Sequence, residues 1–510
     1  MRPDIILLVL DTQRVDRLSC YGHQHETSPY LDMLAQEATL FRHAFSTAQW
    51  TVPSHTSMFT GLYPDRHNML HASSVLPSTL TPLAERLRDD GYFTAGFCNN
   101  PLIGVVNTGL ARGFYSFLNY AGLMTSRPNE TAEQRSLVDR YRYHFKRFLA
   151  NVVTRIQDSF AHSDTLLDFS FSPLLVPLWQ TALSFKGNTA KSLNDAVRLH
   201  IERAGVEKSQ PIFSFINLMG THMPYRPPSR FVEKFAPHVQ RNKVEQRYLR
   251  QFNGDVFGWM APLTSVIDEE HKATLDGMYN AEVANQDELV GTFLQRLRSS
   301  GALDRTLLMI CADHGEHLGE KQLIGHSISL YNELVHVPLI IRDPNGDLPR
   351  GTTVNHIVST RRIFHTALSA ANSASNFEHS LTLAQGTTSD PEREHILAVG
   401  VTPQNLLHII HRRRPDLIAL RSCDQPRYAA WNGRYKLIKT GDSAFELYDI
   451  LDDAKETVNL SDILPEQVEV LQDRLRALIT HVGEDDAAVG DVGYEDALVY
   501  RRLRDLGYLE

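Results

Sequence analysis

Cysteine is scarce in this chain: four residues in 510, Cys20, Cys98, Cys311 and Cys423, with no Cys-x-x-Cys pair. Such spacing offers neither a zinc knot nor a disulfide framework and fits reduced thiols. Long apolar runs are lacking too. The stretch Phe169 to Phe185 is broken by Ser, Pro and Gln and falls short of a bilayer span, so no integral membrane segment is expected. The N-terminal run from Ile5 reaches Asp11 too early for a secretory h-region and has no small-residue cleavage site, which predicts a buried strand in a cytoplasmic protein. An excess of positive charge is also missing. Against 60 acidic residues stand 51 basic ones, a net charge of -9, so no basic field exists to hold a polyanion and nucleic acid is not an expected partner. What is present is 42% hydrophobic and 22% charged, which excludes disorder and fibrous repeats and suffices for a large core and more than one domain.

Strand-like runs alternate with helical patterns. Ile5 to Leu10 precedes a helix over Ser28 to Glu37, Leu80 to Asp90 precedes the strand Phe93 to Phe97, and Pro211 to Leu218 precedes a helix over Asp276 to Ser299 and the strand Thr306 to Cys311. Continuous Ile/Leu/Val/Phe runs separated by helices predict an α/β fold with a mainly parallel sheet. Ligands then belong outside the carboxyl ends of the strands, where Asp11, Asn99, Asn100, Asp313 and His314 stand. Between about 124 and 204 the period changes, with a basic segment Arg140 to Arg147, an apolar stretch Leu166 to Phe185 and a helix from Asn188; this is expected to be a helical insertion, either a lid or packing excursion or a platform for an apolar substrate or a subunit partner. The expected division is a catalytic domain over 1–375, a smaller α+β region over 376–485 and a tail over 486–510. In the second part Leu397 to Val401, Tyr428 to Trp431, Tyr435 to Thr440 and Phe445 to Tyr448 predict short antiparallel strands with an Asn432-Gly433 turn, followed by a helix over Pro465 to Val482.

Three pieces carry chemistry. Asp313-His314-Gly315-Glu316 puts a carboxylate beside an imidazole directly after a buried strand, a combination suited to divalent metals. Asp11 ends the first strand; alone it would read as a helix cap. Trp50 to Gly61 starts a helix at a hydroxyl-rich sequence containing Pro53, where the positive dipole end favours an alkoxide or a bound oxyanion.

The run TVPSHTSMFTGLYP resembles the signature of the sulfatases, and three more stretches match that family in the same order: DTQRVDRLSCYG from Asp11, the segment Tyr279 to Glu320, and LYNELVHVPLII from Leu330. The chain is thereby similar to the sulfatase branch of the alkaline phosphatase superfamily, which implies an α/β/α sandwich with a smaller C-terminal α+β domain. The resemblance implies that Asp11, Asp313 and His314 ligate a metal, with Thr51 the nucleophile upon it and Thr12 where relatives often supply a further ligand. It also implies that His222 and His326 act on the transferred oxyanion or leaving group, and that His55, Asn99 and Asn100 contact substrate. One divalent ion is expected, Mn²⁺ favoured by the histidine, with Ca²⁺, Mg²⁺ or Zn²⁺ open. A single metal fits because Asn217 stands where two-metal relatives carry Asp.

Departures from the family pattern shape the expected reaction. Sulfatases oxidise Cys or Ser to formylglycine; Thr51 is a secondary alcohol that would yield a ketone, so no formylglycine is expected and a threonine intermediate must be opened by a second nucleophile. His55 replaces the signature Arg, and Cys98 and Asn100 fall where Lys and His belong, removing cations that stabilise a dianion. The expected substrate is a small anionic ester of one charge, a phosphodiester or phosphonate monoester, cleaved by hydrolysis or transfer. A sulfate ester hydrolase with unmodified Thr51 and an inactive sulfatase-like binding protein are the alternatives, and self-association stays open.

Overall fold

The structure is a computed structural model that describes residues 2–104, 106–120, 186–255, 260–385, 390, 392 and 394–478. Most of the expected insertion, with Arg140 to Arg147 and Leu166 to Phe185, and the whole tail lie outside the described residues. Of the insertion, the helix Thr189–Glu202 is described, with the Asn188 side chain accepting from the Lys191 N–H at its start.

β1 (Asp4–Leu10) is fully buried, and its alternate side chains serve two separate cores. Ile5, Leu7 and Val9 pack on one face with Val52, Met58 and Phe59, whereas Ile6, Leu8 and Leu10 pack on the other with Leu31, Val197, Met278 and Val290. A strand covered on both faces has no solvent side, which is why its sequence shows no polar alternation. Helices Thr51–Thr60, Leu83–Asp89 and Arg362–Ala370 contribute to the first layer, and Pro29–Ala35, Thr189–Glu202 and Glu269–Ser299 to the second.

The remaining large-sheet strands are β2 (Thr39–Phe45), β3 (Phe93–Cys98), β4 (Ser116–Asn119), β5 (Ile212–Leu218), β6 (Thr306–Cys311), β9 (His336–Arg342) and β10 (Thr352–Ser359), with β7 (His317–Leu318) and β8 (Ile324–Gly325) forming a separate two-stranded ribbon. The order is β10-β2-β9-β6-β1-β5-β3-β4. β1 pairs in parallel with β5 and β6, so Asp11, Asn217 and Asp313 come to the same end of adjacent strands. β9 alone runs antiparallel to its neighbours β6 and β2.

A second sheet, β11 (Leu397–Gly400), β12 (Arg427–Trp431), β13 (Tyr435–Thr440) and β14 (Ala444–Asp449), is antiparallel throughout. One face packs Trp431, Ile438 and Tyr448 against Phe45, Leu330 and Leu334 of the first part; the other packs Val399, Leu437 and Leu447 against Leu471 and Leu475 of the helix Pro465–Leu478. A buried Lys436–Glu456 pair at 2.6 Å, shared with Asn332, joins the two parts. Among the described residues no helix is long and apolar enough to cross a membrane.

Candidate active site

The site is assembled at the carboxyl ends of β1, β3, β5 and β6. Asp11 follows β1 directly, and its N–H donates to the Leu218 carbonyl at 2.8 Å. Its Oδ2 accepts from the amides of Asn100 (2.7 Å) and Asn217 (3.3 Å), while Oδ1 is buried without a hydrogen-bond partner. Asp313, two residues beyond β6, accepts from the backbone N–H of Thr12 (3.2 Å) and His314 (2.9 Å) through Oδ1; its Oδ2 is likewise buried and without such a partner. Thr12 adopts a left-handed φ of 59°, costly for a β-branched residue, and is held there by Tyr279, whose hydroxyl donates to the Thr12 carbonyl at 2.6 Å. The Thr12 hydroxyl lies 3.4 Å from that of Thr221, which in turn donates to the Asp11 carbonyl.

His314 places Nδ1 2.9 Å from the Gly315 carbonyl, so Nδ1 carries the proton and Nε2 the lone pair. That Nε2 stands 3.4 Å from Asp313 Oδ2 and 3.4 Å from the Thr51 hydroxyl. Thr51 is the first residue of the helix Thr51–Thr60, and the Asn100 amide reaches its oxygen at 3.5 Å. Ser54, one turn on, donates to the Asp313 carbonyl at 2.7 Å and fixes the helix against the loop after β6.

Electrostatics make this arrangement costly by itself. Burial, and after it the neighbouring Asp11, pushes the Asp313 carboxyl well above the usual carboxylate range. Burial and then His326 depress His314 well below an ordinary histidine. One ligand atom from each of Asp11, Asp313 and His314 lies within 4.8 Å of the others, and no other such group of three occurs among the described residues. Two orphaned buried carboxylate oxygens beside an imidazole lone pair fit a divalent cation, which satisfies all three at once.

The histidines facing this centre come from two loops. His222, after β5, places Nδ1 2.6 Å from the Met223 carbonyl, and burial lowers its pKa. His326, directly after β8, stands with its ring 5.1 Å from that of His222 and 4.6 Å from that of His314. Its Nδ1 lies 3.1 Å from Oε1 of the fully buried Glu316, whose Oε2 accepts from the Tyr225 hydroxyl at 2.6 Å.

A family model, Sulfatase, matches residues 3–373. The chain belongs to the sulfatase family. It is 21% identical over 380 residues to an arylsulfatase of Clostridium perfringens, covering 73% of this chain and 75% of that one. With an ulvan-active sulfatase of Formosa agariphila it shares 22% over 372 residues, 73% of this chain but only 62% of that longer protein. Among solved structures it is similar to the phosphonate monoester hydrolase of Agrobacterium radiobacter, with a TM-score of 0.62 at 19% identity, covering 94% of this chain and 96% of that one. The protein is thus an ester hydrolase of the sulfatase and alkaline phosphatase superfamily, a family typically dependent on metal.

Within this sulfatase-family site, the structure brings together Asp11, Thr12, Thr51, Asn100, His222, Asp313, His314 and His326. The two other expected substrate contacts are bonded to protein groups: His55 lies against the centre, its Nδ1 3.5 Å from Asp313 Oδ2, and Asn99 lies away from it. His55 has no solvent exposure: its Nδ1 folds back 2.9 Å onto the Thr51 carbonyl one helical turn earlier, and its Nε2 stands 3.4 Å from the Asn217 amide. Burial lowers its pKa. Asn99 turns to the opposite side, donating to Thr189 at 3.2 Å beside Gly187. Glu316, Tyr225 and Asn217 hold catalytic candidates in place without having been expected to; for Glu316 the signal was its position in Asp313-His314-Gly315-Glu316, directly before a short buried strand.

Proposed function

We propose that this protein hydrolyses singly charged phosphoryl esters, phosphodiesters or phosphonate monoesters, through a covalent intermediate on Thr51. The observation that carries the reading is the placement of the Thr51 hydroxyl at a helix start, between the Asn100 amide and His314 Nε2, beside two orphaned carboxylate oxygens. A divalent ion held by Asp11, Asp313 and His314, with Thr51 alongside, would supply hydroxyl activation and neutralise charge on the reacting group. The Asn100 amide, held at 2.7 Å on Asp11, stands 3.5 Å from the Thr51 oxygen, and the helix dipole favours the anionic form of that oxygen.

Thr51, its hydroxyl proton given up to solvent beforehand, attacks phosphorus through Oγ1 as the bond to the leaving oxygen breaks, the electron pair of that bond passing to the oxygen, which takes a proton from His326 Nε2. Water then attacks phosphorus and gives one proton to His222 while the bond from phosphorus to Oγ1 breaks and its pair returns to Thr51; solvent carries the proton from His222 back to His326 and closes the cycle. His222 suits the second step because burial lowers its pKa, which favours the neutral ring, and its Nδ1–H donates to the Met223 carbonyl, so that Nε2 carries the lone pair. The described lining supports a substrate of low charge. Among the described residues no Lys or Arg bonds to Thr51, Asn100 or His326; Arg14 is committed to Asp16 and Glu320, and Lys186 to Glu282 and the Gly220 carbonyl. Where few cations face the reacting group, one negative charge is stabilised better than two.

The test compares kcat/KM for 4-nitrophenyl phenylphosphonate with that for 4-nitrophenyl sulfate on one Mn²⁺-loaded sample. The phosphonate should be the faster. A sulfate preference, or a mass shift on Thr51 in the resting protein, restores the sulfate ester alternative. Thr51→Ala should lose at least about a hundredfold in kcat with metal content retained, and near wild-type rates would refute the nucleophile.

A further inference from the structure

Two loops deliver the histidines, and one buried side chain ties them together. β7 and β8 pair antiparallel with His317 opposite Gly325, a register that sets Glu316, just before β7, across from His326, just after β8. Glu316 has no solvent exposure and spends one oxygen on each loop: Oε1 on His326 Nδ1 at 3.1 Å, Oε2 on the hydroxyl of Tyr225, three residues beyond His222, at 2.6 Å. Tyr225 is itself fixed by a reciprocal pair of 2.8 Å bonds between its backbone and the Asn253 amide, and the Glu316 carbonyl accepts from Arg14 at 3.1 Å. Both carboxylate oxygens are therefore committed, one to each loop, and neither to the metal ligands.

We propose that Glu316, with Tyr225, is a positioning residue for leaving-group departure: it orients the His326 ring so that Nδ1 is committed to the carboxylate and Nε2 faces the reacting ester. This deepens the functional reading above and rests on its assignment of His326. A ring held at one nitrogen presents the other in a single direction, and proton delivery to a departing oxygen depends steeply on that direction. The effect concerns only the bond to the leaving group. Activated esters such as 4-nitrophenyl, whose departing anion is stable, have little need of the proton; phenyl esters need it more.

The experiment measures kcat/KM for 4-nitrophenyl and phenyl esters of phenylphosphonate with wild type, Glu316→Ala, Glu316→Gln, Tyr225→Phe and His326→Ala, each checked for metal content and melting temperature. Glu316→Ala should slow the phenyl ester at least about tenfold more than the 4-nitrophenyl ester. Glu316→Gln, which can still accept from Nδ1–H, should restore most of the lost phenyl-ester rate, and Tyr225→Phe should show the same selective loss at smaller size. Equal losses on both leaving groups, or none, overturn the proposal, because a purely structural role has no preference between them. Should Glu316→Ala fail to fold, Tyr225→Phe decides by the same ratio. His326→Ala separates the two layers: selective loss there without any in the Glu316 and Tyr225 variants refutes the positioning alone, whereas no selective loss in His326→Ala refutes the histidine's role. If the wild type prefers sulfate, the ratio is read on the matched aryl sulfates; no turnover of any ester refutes both.

Discussion

Replacing Asp313 by Asn should move stability in opposite directions with and without a divalent ion. In the wild-type chain Asp11 and Asp313 are both fully buried, with ligand atoms within 4.8 Å of each other. Without an ion, either both stay ionised and repel by about 3.5 kcal/mol at that distance and an effective dielectric constant of about 20, or Asp313, whose carboxyl is pushed well above the usual range, takes up a proton at a comparable cost near neutral pH. Asparagine keeps Oδ1, which accepts from the N–H groups of Thr12 and His314, and puts an NH₂ in place of the orphaned Oδ2, 3.4 Å from the lone pair of His314 Nε2. In chelator the variant should therefore be more stable than wild type by about 2–4 kcal/mol. With Mn²⁺ at roughly 100 times its Kd the wild type gains about 2.7 kcal/mol, and the variant, short of one anionic ligand, gains little. Melting curves in EDTA and in MnCl₂, with metal content measured on the same samples, read both arms. A variant less stable than wild type in chelator would refute the repulsion, and one that retains stoichiometric metal would refute Asp313 as a ligand.

Gly315→Ala should abolish tight metal binding while leaving Thr51 intact, because a Cβ there would lie 2.0 Å from the Glu333 carbonyl and force the His314 loop outward; metal titration by calorimetry checks it, and unchanged affinity would count against the loop geometry. Stability should also fall below about pH 6.5 through His67. Burial depresses its pKa to about 3, and it holds a proton less readily folded than unfolded, so the unfolded chain binds more protons and stability drops by about 1.4 kcal/mol per pH unit between 6.5 and 3. Its Nδ1 accepts from the Met69 N–H and its Nε2 pairs with Ser57 at 3.0 Å, so urea midpoints at pH 7 and pH 5 should converge in His67→Gln relative to wild type; equal slopes would rule His67 out.

Strands covered on both faces were legible in the sequence because burial alone dictates their composition: β1, β3, β5 and β6 stand where apolar runs predicted them. β2, β9 and β10 carried no such signal. β10 is half exposed along its first residues, so TTVNHIVS shows no apolar run. β9 contains Pro338, which argues against a central strand; the register of its partner shifts between Phe41 and Ala44, opposite the proline, where no N–H is required. That Asp11, Asp313 and His314 come together was legible because the order of the family-like motifs and the strand ends coincide. Side-chain direction was not: His55 occupies a signature position yet turns back along its own helix, and Asn99 and Asn100 are adjacent in sequence but face opposite ways.

The reversal at β9 has a consequence for how the site can vary. A strand that followed β6 in parallel would oblige the chain to recross the length of the sheet, consuming a helix on transport before pairing. Because β9 instead enters from the end at which β6 leaves, the whole passage from Ala312 to Val335 starts and finishes on one side. Asp313, His314, Glu316 and His326 therefore belong to a single returning loop whose length is free of any constraint from the sheet. Residues gained or lost there would alter the shape around the reacting ester while leaving every ladder of the scaffold in register, which makes this stretch the natural place for substrate preference to diverge without loss of the fold.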